Sequence, residues 1–188
     1  DKDLNLQYET VRDQVDVNVV RYTPTIEDSI GEDSYYAVWI TPPDNPEGEE
    51  IIPKKIVFTA DVSSSMEGTR IEQLKQSLLA FLDKLEPNDK FNIITFGTNI
   101  VHFQPDLIKA TPENLEAART FVVDIGALGL TNINDALLQS LQQSFSDDYA
   151  NMIVFLTDGY PTWSETFVPN ILTNVREANT QDATIFAF

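Results

Sequence analysis

Four runs, Lys55–Ala60, Phe91–Phe96, Met152–Leu156 and Thr184–Phe188, carry β-prone and mostly apolar residues at consecutive positions, with amphipathic stretches between them. Runs of this kind are strands covered on both faces, because a strand with one wet face alternates instead. Arg70–Leu85 places Ile71, Leu74, Leu78, Phe81, Leu82 and Leu85 three and four residues apart, the spacing of one helical face. Thr111, Pro112 and Glu113 supply a hydroxyl cap, a proline at the first helical position and an acid, and they open a helix that runs to about Val123. Asn134–Phe145 and Val168–Ala178 read as two further helices, and Ile100–Phe103 as a short antiparallel edge strand. The alternation predicts an α/β fold: a doubly wound, mostly parallel Rossmann-like sheet flanked by helices, with right-handed crossovers.

The start of the chain has a different rhythm. Leu4, Leu6 and Tyr8 alternate with polar residues, as do Val15, Val17 and Val19, and Tyr35–Ile40 is a third strand candidate. Tyr35, Tyr36 and Trp39 are expected in the core of that β segment. The next eleven residues hold three prolines and four acids, which disfavour both helix and ladder. The expected organisation is therefore a β-rich segment at 1–41, a Pro/acidic linker at 42–52 and an α/β domain at 53–188. The chain starts at Asp1 with no charged-then-apolar leader, and it stops on a strand that a doubly wound sheet would cover with a helix. Both features lead us to expect a piece of a longer polypeptide.

Charge and composition exclude several functions. The chain has 30 acidic and 12 basic residues, a net charge of −18. Such a surface repels nucleic acid and anionic lipid, and favours cations and basic partners. No apolar run approaches the ~20 residues that cross a bilayer, so no membrane insertion is expected in this segment. The absence of cysteine excludes thiolate zinc sites and cysteine nucleophiles. A single histidine, His102, excludes multi-histidine metal sites, argues against a histidine-dependent triad, and on an edge strand is expected to be exposed or satisfied.

In open α/β sheets, ligands sit beyond the carboxyl ends of the strands. Asp61, Ser63 and Ser65 follow the first buried run, Thr157, Asp158 and Gly159 follow the third, and Gly129, Leu130, Thr131 and Asn132 lie in the loop between. Five oxygen-bearing side chains, Asp61, Ser63, Ser65, Thr131 and Asp158, are thus expected at one end of one sheet. Carboxylate and hydroxyl oxygens suit a hard divalent cation, with Mg²⁺ first and Mn²⁺ or Ca²⁺ as alternatives. Two carboxylates roughly neutralise it, and neutral hydroxyls leave its Lewis acidity intact.

Asp-x-Ser-x-Ser at Asp61–Ser65, a threonine in the Gly129–Asn132 loop and Thr-Asp-Gly at 157–159 together resemble the von Willebrand factor A (vWA) domain and its metal-ion-dependent adhesion site (MIDAS). The resemblance covers roughly 53–188. It implies that Ser63, Ser65 and Thr131 coordinate metal through their hydroxyls, and that Asp61 and Asp158 act directly or through water. It also implies a non-enzymatic domain that binds a protein partner through an acidic residue completing the metal shell. Ser64 stands where the family commonly has glycine and adds bulk to a tight loop; Leu130 stands where glycine is frequent. The family's last strand and C-terminal helix lie beyond Phe188. The segment around Asp1–Tyr8, Tyr35–Tyr36 and Pro53–Phe58 resembles the join between a VIT domain and its A domain, as in inter-alpha-trypsin inhibitor heavy chains. That linkage implies an extracellular or cell-surface location.

Simpler readings stand beside these. Asp61 and Asp158 taken singly read as helix caps or turn formers. Tyr160 and Trp163, in the loop after Asp158, are either partner-contact aromatics or packed against the sheet end. Met66 is expected to pack under the serine loop. A phosphohydrolase using Asp61 as nucleophile would need a second aspartate at Ser63, and no strong basic group is expected in the matched segments to hold a phosphate. A structural domain of a surface protein, using metal only for stability, is a further reading.

Overall fold

The computed structural model describes residues 16–22, 35–41 and 52–188. The chain divides into two compact units, Asp1–Ile51 and Ile52–Phe188. In the first, β1 (Asp16–Tyr22) and β2 (Tyr35–Thr41) form an antiparallel ladder, with Asp16 opposite Thr41 and Tyr22 opposite Tyr35. The strand expected at Leu4–Tyr8 and nearly all of the Pro/acidic linker lie outside the described residues. Tyr36 and Trp39 are exposed, together with Val17, Val19, Val38 and Ile40. The expectation that Tyr36 and Trp39 form a core is corrected: a two-stranded ribbon has two surfaces and no interior.

The second unit runs β3 (Lys54–Asp61), α1 (Thr69–Leu82), β4 (Lys90–Phe96), β5 (Ile100–His102), β6 (Ile108–Lys109), α2 (Pro112–Val123), α3 (Ile133–Leu141), β7 (Ala150–Leu156), α4 (Val168–Ala178) and β8 (Thr184–Ala187). Its sheet has the order β5-β4-β3-β7-β8, with β6 also paired to β4. β3, β4, β7 and β8 are parallel; β5 and β6 are antiparallel to β4. This is the expected mixed, mostly parallel sheet with flanking helices.

The central position of β3 explains its unbroken apolar run. Ile56, Phe58 and Ala60 pack with Leu74, Leu78 and Leu82 of α1 and Ala118 and Val122 of α2. Val57, on the opposite face, packs with Ile94, Leu141, Phe145 and Ile153. Beside it Phe96 stacks on Phe155 at 5.3 Å, with Ala136, Leu137 and Ile171 around them. Polar groups inside this core are paired. Thr59 and Ser140 share a 2.7 Å hydroxyl bond, and Asn92 Nδ2 donates to the Gln104 carbonyl and to Gln143 Oε1, both at 2.8 Å. His102 Nε2 lies 2.6 Å from Gln139 Oε1, so the lone histidine is satisfied.

The connections place the site. From β3 the chain passes through α1 to β4 on one side, whereas β7 joins β3 on the other. The carboxyl ends of β3 and β7 are therefore neighbours whose outgoing connections diverge, the arrangement that opens a crevice. Ala60 is level with Leu156, which brings Asp61 beside Thr157.

Candidate metal centre

Asp61 closes β3 and is completely buried. Burying a carboxylate is costly unless hydrogen bonds compensate it. Here Oδ1 accepts from the Ser63 amide at 2.8 Å and Oδ2 from the Thr157 hydroxyl at 2.6 Å. Asp61 thus fixes both the serine loop that follows it and the end of β7. A single 3-10 turn, Ser64–Met66, comes next, with Met66 buried beneath it. Ser63 Oγ and Ser65 Oγ are 3.0 Å apart, and Ser65 Oγ donates to Asp158 Oδ1 at 2.8 Å. Asp61, Ser63, Ser65 and Asp158 therefore form one hydrogen-bonded group across two loops.

Thr131 reaches the same end by another route. It is buried, its amide donates to Thr162 Oγ1 at 2.9 Å, and its carbonyl accepts from the Thr162 and Trp163 amides at 2.9 and 3.2 Å. The preceding residues are stitched to the serine loop: Leu128 N donates to the Val62 carbonyl at 2.7 Å, Ser64 N to the Gly129 carbonyl at 2.9 Å, and Gly129 N to Ser64 Oγ at 3.0 Å. Asp61, Ser63, Ser65 and Asp158 are joined by hydrogen bonds, whereas Thr131 bonds Thr162 and Trp163, and only the preceding Leu128 and Gly129 tie its loop to the serine loop. Ser64, read from sequence as added bulk, is a hydrogen-bonding link between two loops.

Arg70 joins the group without any sign of it in the residue pattern. Its Nη1 donates to Asp158 Oδ2 at 2.5 Å and to the Ser65 carbonyl at 3.1 Å. The matched segments hold no basic residue of their own; this one comes from α1, outside them. The contact spans 88 residues of sequence, so no local pattern announces it.

Asn132 caps α3, its Oδ1 accepting from the Asp135 amide at 3.4 Å. Asp135 in turn accepts from the amide nitrogens of Asn132 and Asn134, both at 2.9 Å. Burial pushes its carboxyl up, but hydrogen bonds from the Asn132, Asn134 and Ser164 side chains outweigh burial and hold it below its ordinary value of 3.8. A depressed carboxyl contributes stability that is present above the unfolded value and is lost as pH falls through the folded one. Asp135→Asn is therefore expected to flatten the loss of stability as pH falls through and below the ordinary carboxylate value of 3.8. Urea midpoints across that fall in pH check it; an unchanged acid slope would refute the assignment.

Tyr160 is 84% exposed and Trp163 48% exposed, so packing against the sheet end does not describe Tyr160. Tyr160 borders an apolar cavity of about 420 Å³ lined also by Phe155, Ile171, Leu172 and Ile185.

Among the described residues no group of three or more His, Cys, Asp or Glu side chains converges. The donors at this centre are two carboxylates and hydroxyls, all oxygen, which is the preference of a hard cation. Adjacent corners of an octahedron with ~2.1 Å metal–oxygen distances lie about 3.0 Å apart. The Ser63 and Ser65 hydroxyls have that separation, so the residues present fit such an ion.

Comparison with known proteins agrees with this architecture. The sequence profile of the von Willebrand factor type A domain matches residues 54–188. Inter-alpha-trypsin inhibitor heavy chain H4 from Homo sapiens is 43% identical over 141 residues, covering 71% of this chain and 15% of that protein. The chain thus spans about 15% of the length of that curated relative. Among solved structures, a von Willebrand factor type A protein from Catenulispora acidiphila superposes with a TM-score of 0.65 at 16% identity, covering 98% of this chain and 42% of that one. Proximal thread matrix protein 1 from the mussel byssus, with a zinc-occupied MIDAS motif, gives 0.59 at 17% identity, covering 72% of this chain and 37% of that one. At these identities the structural likenesses speak to the fold.

Proposed function

The chain belongs to the von Willebrand factor type A domain family, and from that premise we propose that residues 53–188 form a divalent-cation-dependent protein-binding module. In this reading Ser63, Ser65 and Thr131 offer hydroxyl oxygens to the cation, and Asp61 and Asp158 balance its charge directly or through water. The cation supplies a Lewis-acidic docking point whose open position takes a carboxylate from the partner. The observation that carries the reading is the linked Ser63, Ser65 and Asp158 group beside the buried Asp61. It converges donors from loops far apart in sequence at the switch point of the sheet.

Each residue has a definable task. Asp61, fixed by the Ser63 amide and the Thr157 hydroxyl, holds the serine loop in place. Ser65 keeps its proton directed at Asp158, so in its bond with Ser63 it is the acceptor, which leaves one lone pair for the cation. Mg²⁺ is the first candidate, with Mn²⁺ and Ca²⁺ next; the zinc in the mussel relative's motif makes zinc a fourth ion to test. Exposed Tyr160 and Trp163, in the loop that follows Asp158, are the proposed partner contacts. The net charge of −18 disfavours a nucleic-acid partner, and the family match supports a protein one. Among the described residues no helix is long and apolar enough to cross a membrane. The VIT-like join leads us to place the protein outside the cell or at its surface. The domain acts by binding, not catalysis: Ser63 stands where a phosphohydrolase needs its second aspartate, and Arg70 is engaged by Asp158.

The test is calorimetric titration of Mg²⁺, Mn²⁺, Ca²⁺ and Zn²⁺ into chelator-stripped protein, beside an Asp61→Ala/Thr131→Ala double variant. Saturable single-site binding that the variant loses is the expected result. Folded protein that binds none of these ions would overturn the proposal. Metal-dependent stability without metal-dependent capture of any carboxylate-bearing ligand would favour a purely structural use of the ion.

A further inference from the structure

Arg70 occupies an electrostatically unfavourable place. It lies in the first turn of α1, where the partial positive charge of the helix terminus disfavours a cation. Its side chain is 60% exposed, whereas the Asp158 side chain is 16% exposed. One nitrogen, Nη1, joins Asp158 Oδ2 and the Ser65 carbonyl, the two loops that carry the proposed ligands. Asp158 is left with one oxygen on Arg70 and the other on the Ser65 hydroxyl.

We propose that Arg70 is a positioning residue of the cation centre: it clamps the Asp158 carboxylate so that Oδ1 faces Ser65 and draws on the Ser65 proton. A carboxylate held in this way raises the donor strength of the hydroxyl it accepts from, as outer-sphere carboxylates do for metal-bound histidines. Released from Arg70, Asp158 turns about its own side-chain bonds and Ser65 loses a fixed acceptor. The charge of Arg70 works in the opposite sense, repelling a cation. Its exposure screens that repulsion, whereas the direct contact to Asp158 still fixes which way the carboxylate faces. Orientation is therefore the larger effect. The inference rests on the cation-binding reading above and deepens it.

Arg70→Ala is expected to weaken cation binding about 10- to 100-fold, the usual cost of removing an outer-sphere partner. Arg70→Lys is expected to recover part of the loss, because it restores a charged donor to Asp158 without the planar fork. The thermal midpoint of the metal-free protein should change little in either variant, since exposed ion pairs contribute little to stability. A double-mutant cycle completes the test. In an Asp158→Asn background, Arg70→Ala should have a much smaller further effect on affinity, because the carboxylate it orients is gone and only its contact to the Ser65 carbonyl remains. Equal binding by Arg70→Ala, or an undiminished loss in the Asp158→Asn background, would overturn the assignment, and tighter binding would make Arg70 a simple repulsive charge. If the wild-type protein binds no ion, the cation-binding reading fails and this one with it; if wild-type binds and Arg70→Ala is unaffected, this one fails alone.

Discussion

Phe58→Ala is expected to lower the unfolding free energy by about 3–5 kcal/mol, the largest loss we anticipate from a single substitution in this domain. Phe58 is 2% exposed and lies in the middle of the central strand, level with Ile93 of β4 and Val154 of β7. Its ring stacks on Phe81 of α1 at 5.6 Å. Losing a buried side chain of this size forfeits about 1.5–3 kcal/mol of transfer free energy, and the ring pair adds about 0.5–1.5 kcal/mol. The remainder is the cavity. Collapse around it is limited because β3 is hydrogen-bonded on both edges, so neighbouring backbones are held one strand spacing away. Phe186→Ala is the matched control in this chain: among the described residues β8 pairs with β7 alone and Phe186 is 43% exposed, so its loss should cost below about 1 kcal/mol. Urea midpoints at unchanged m-values measure both. A Phe58 loss as small as that of Phe186 would mean that α1 does not close over β3 in solution.

The legible part of this protein is the part whose physics is local. β3, β4 and β7 are readable because covering both faces forces apolar residues at successive positions. α1 and α2 are readable because one buried stripe and a Thr-Pro-acid start leave a periodic trace. α3 is shorter than its pattern predicts, ending at Leu141, yet Phe145 remains buried. The apolar spacing reports burial correctly even where the backbone has already left the helix. β6 is not legible, since two residues paired to β4 carry no period at all. At the candidate centre, residue types at strand ends point to Asp61, Ser63, Ser65 and Asp158, which the fold joins. Arg70 is invisible in the sequence because its partner is set by topology. Ser64 reads only as bulk there because its value depends on Gly129, a residue on another loop.

Gly129→Ala is expected to destabilise the domain by about 2–5 kcal/mol, from backbone strain of about 1–2 kcal/mol and overpacking of about 1–3 kcal/mol. Gly129 has φ +96°, which L side chains rarely adopt, and a Cβ there would meet Thr98 Oγ1 at 2.5 Å and the Thr98 amide nitrogen at 3.0 Å. The hydroxyl can turn away, at the cost of its bond from the Leu130 amide; the backbone nitrogen cannot. The remaining relief is for the 128–130 segment to move, and its bonds to Ser64 transmit that movement to the loop bearing Ser63 and Ser65. Cation affinity should therefore fall along with stability. Two other glycines separate the causes. Gly68, at φ +83° with nothing within 4 Å of where a methyl would sit, carries strain alone, so alanine there should cost about 1–2 kcal/mol. Gly126 has neither strain nor a close neighbour, and alanine there should stay within about 0.5 kcal/mol of wild type with unaltered cation binding. Denaturant unfolding and cation titration on the three variants give the ranking. If Gly129→Ala loses stability but keeps wild-type affinity, the Gly129–Ser64 link does not position the serine loop, and the ligands are held by Asp61 and Asp158 alone.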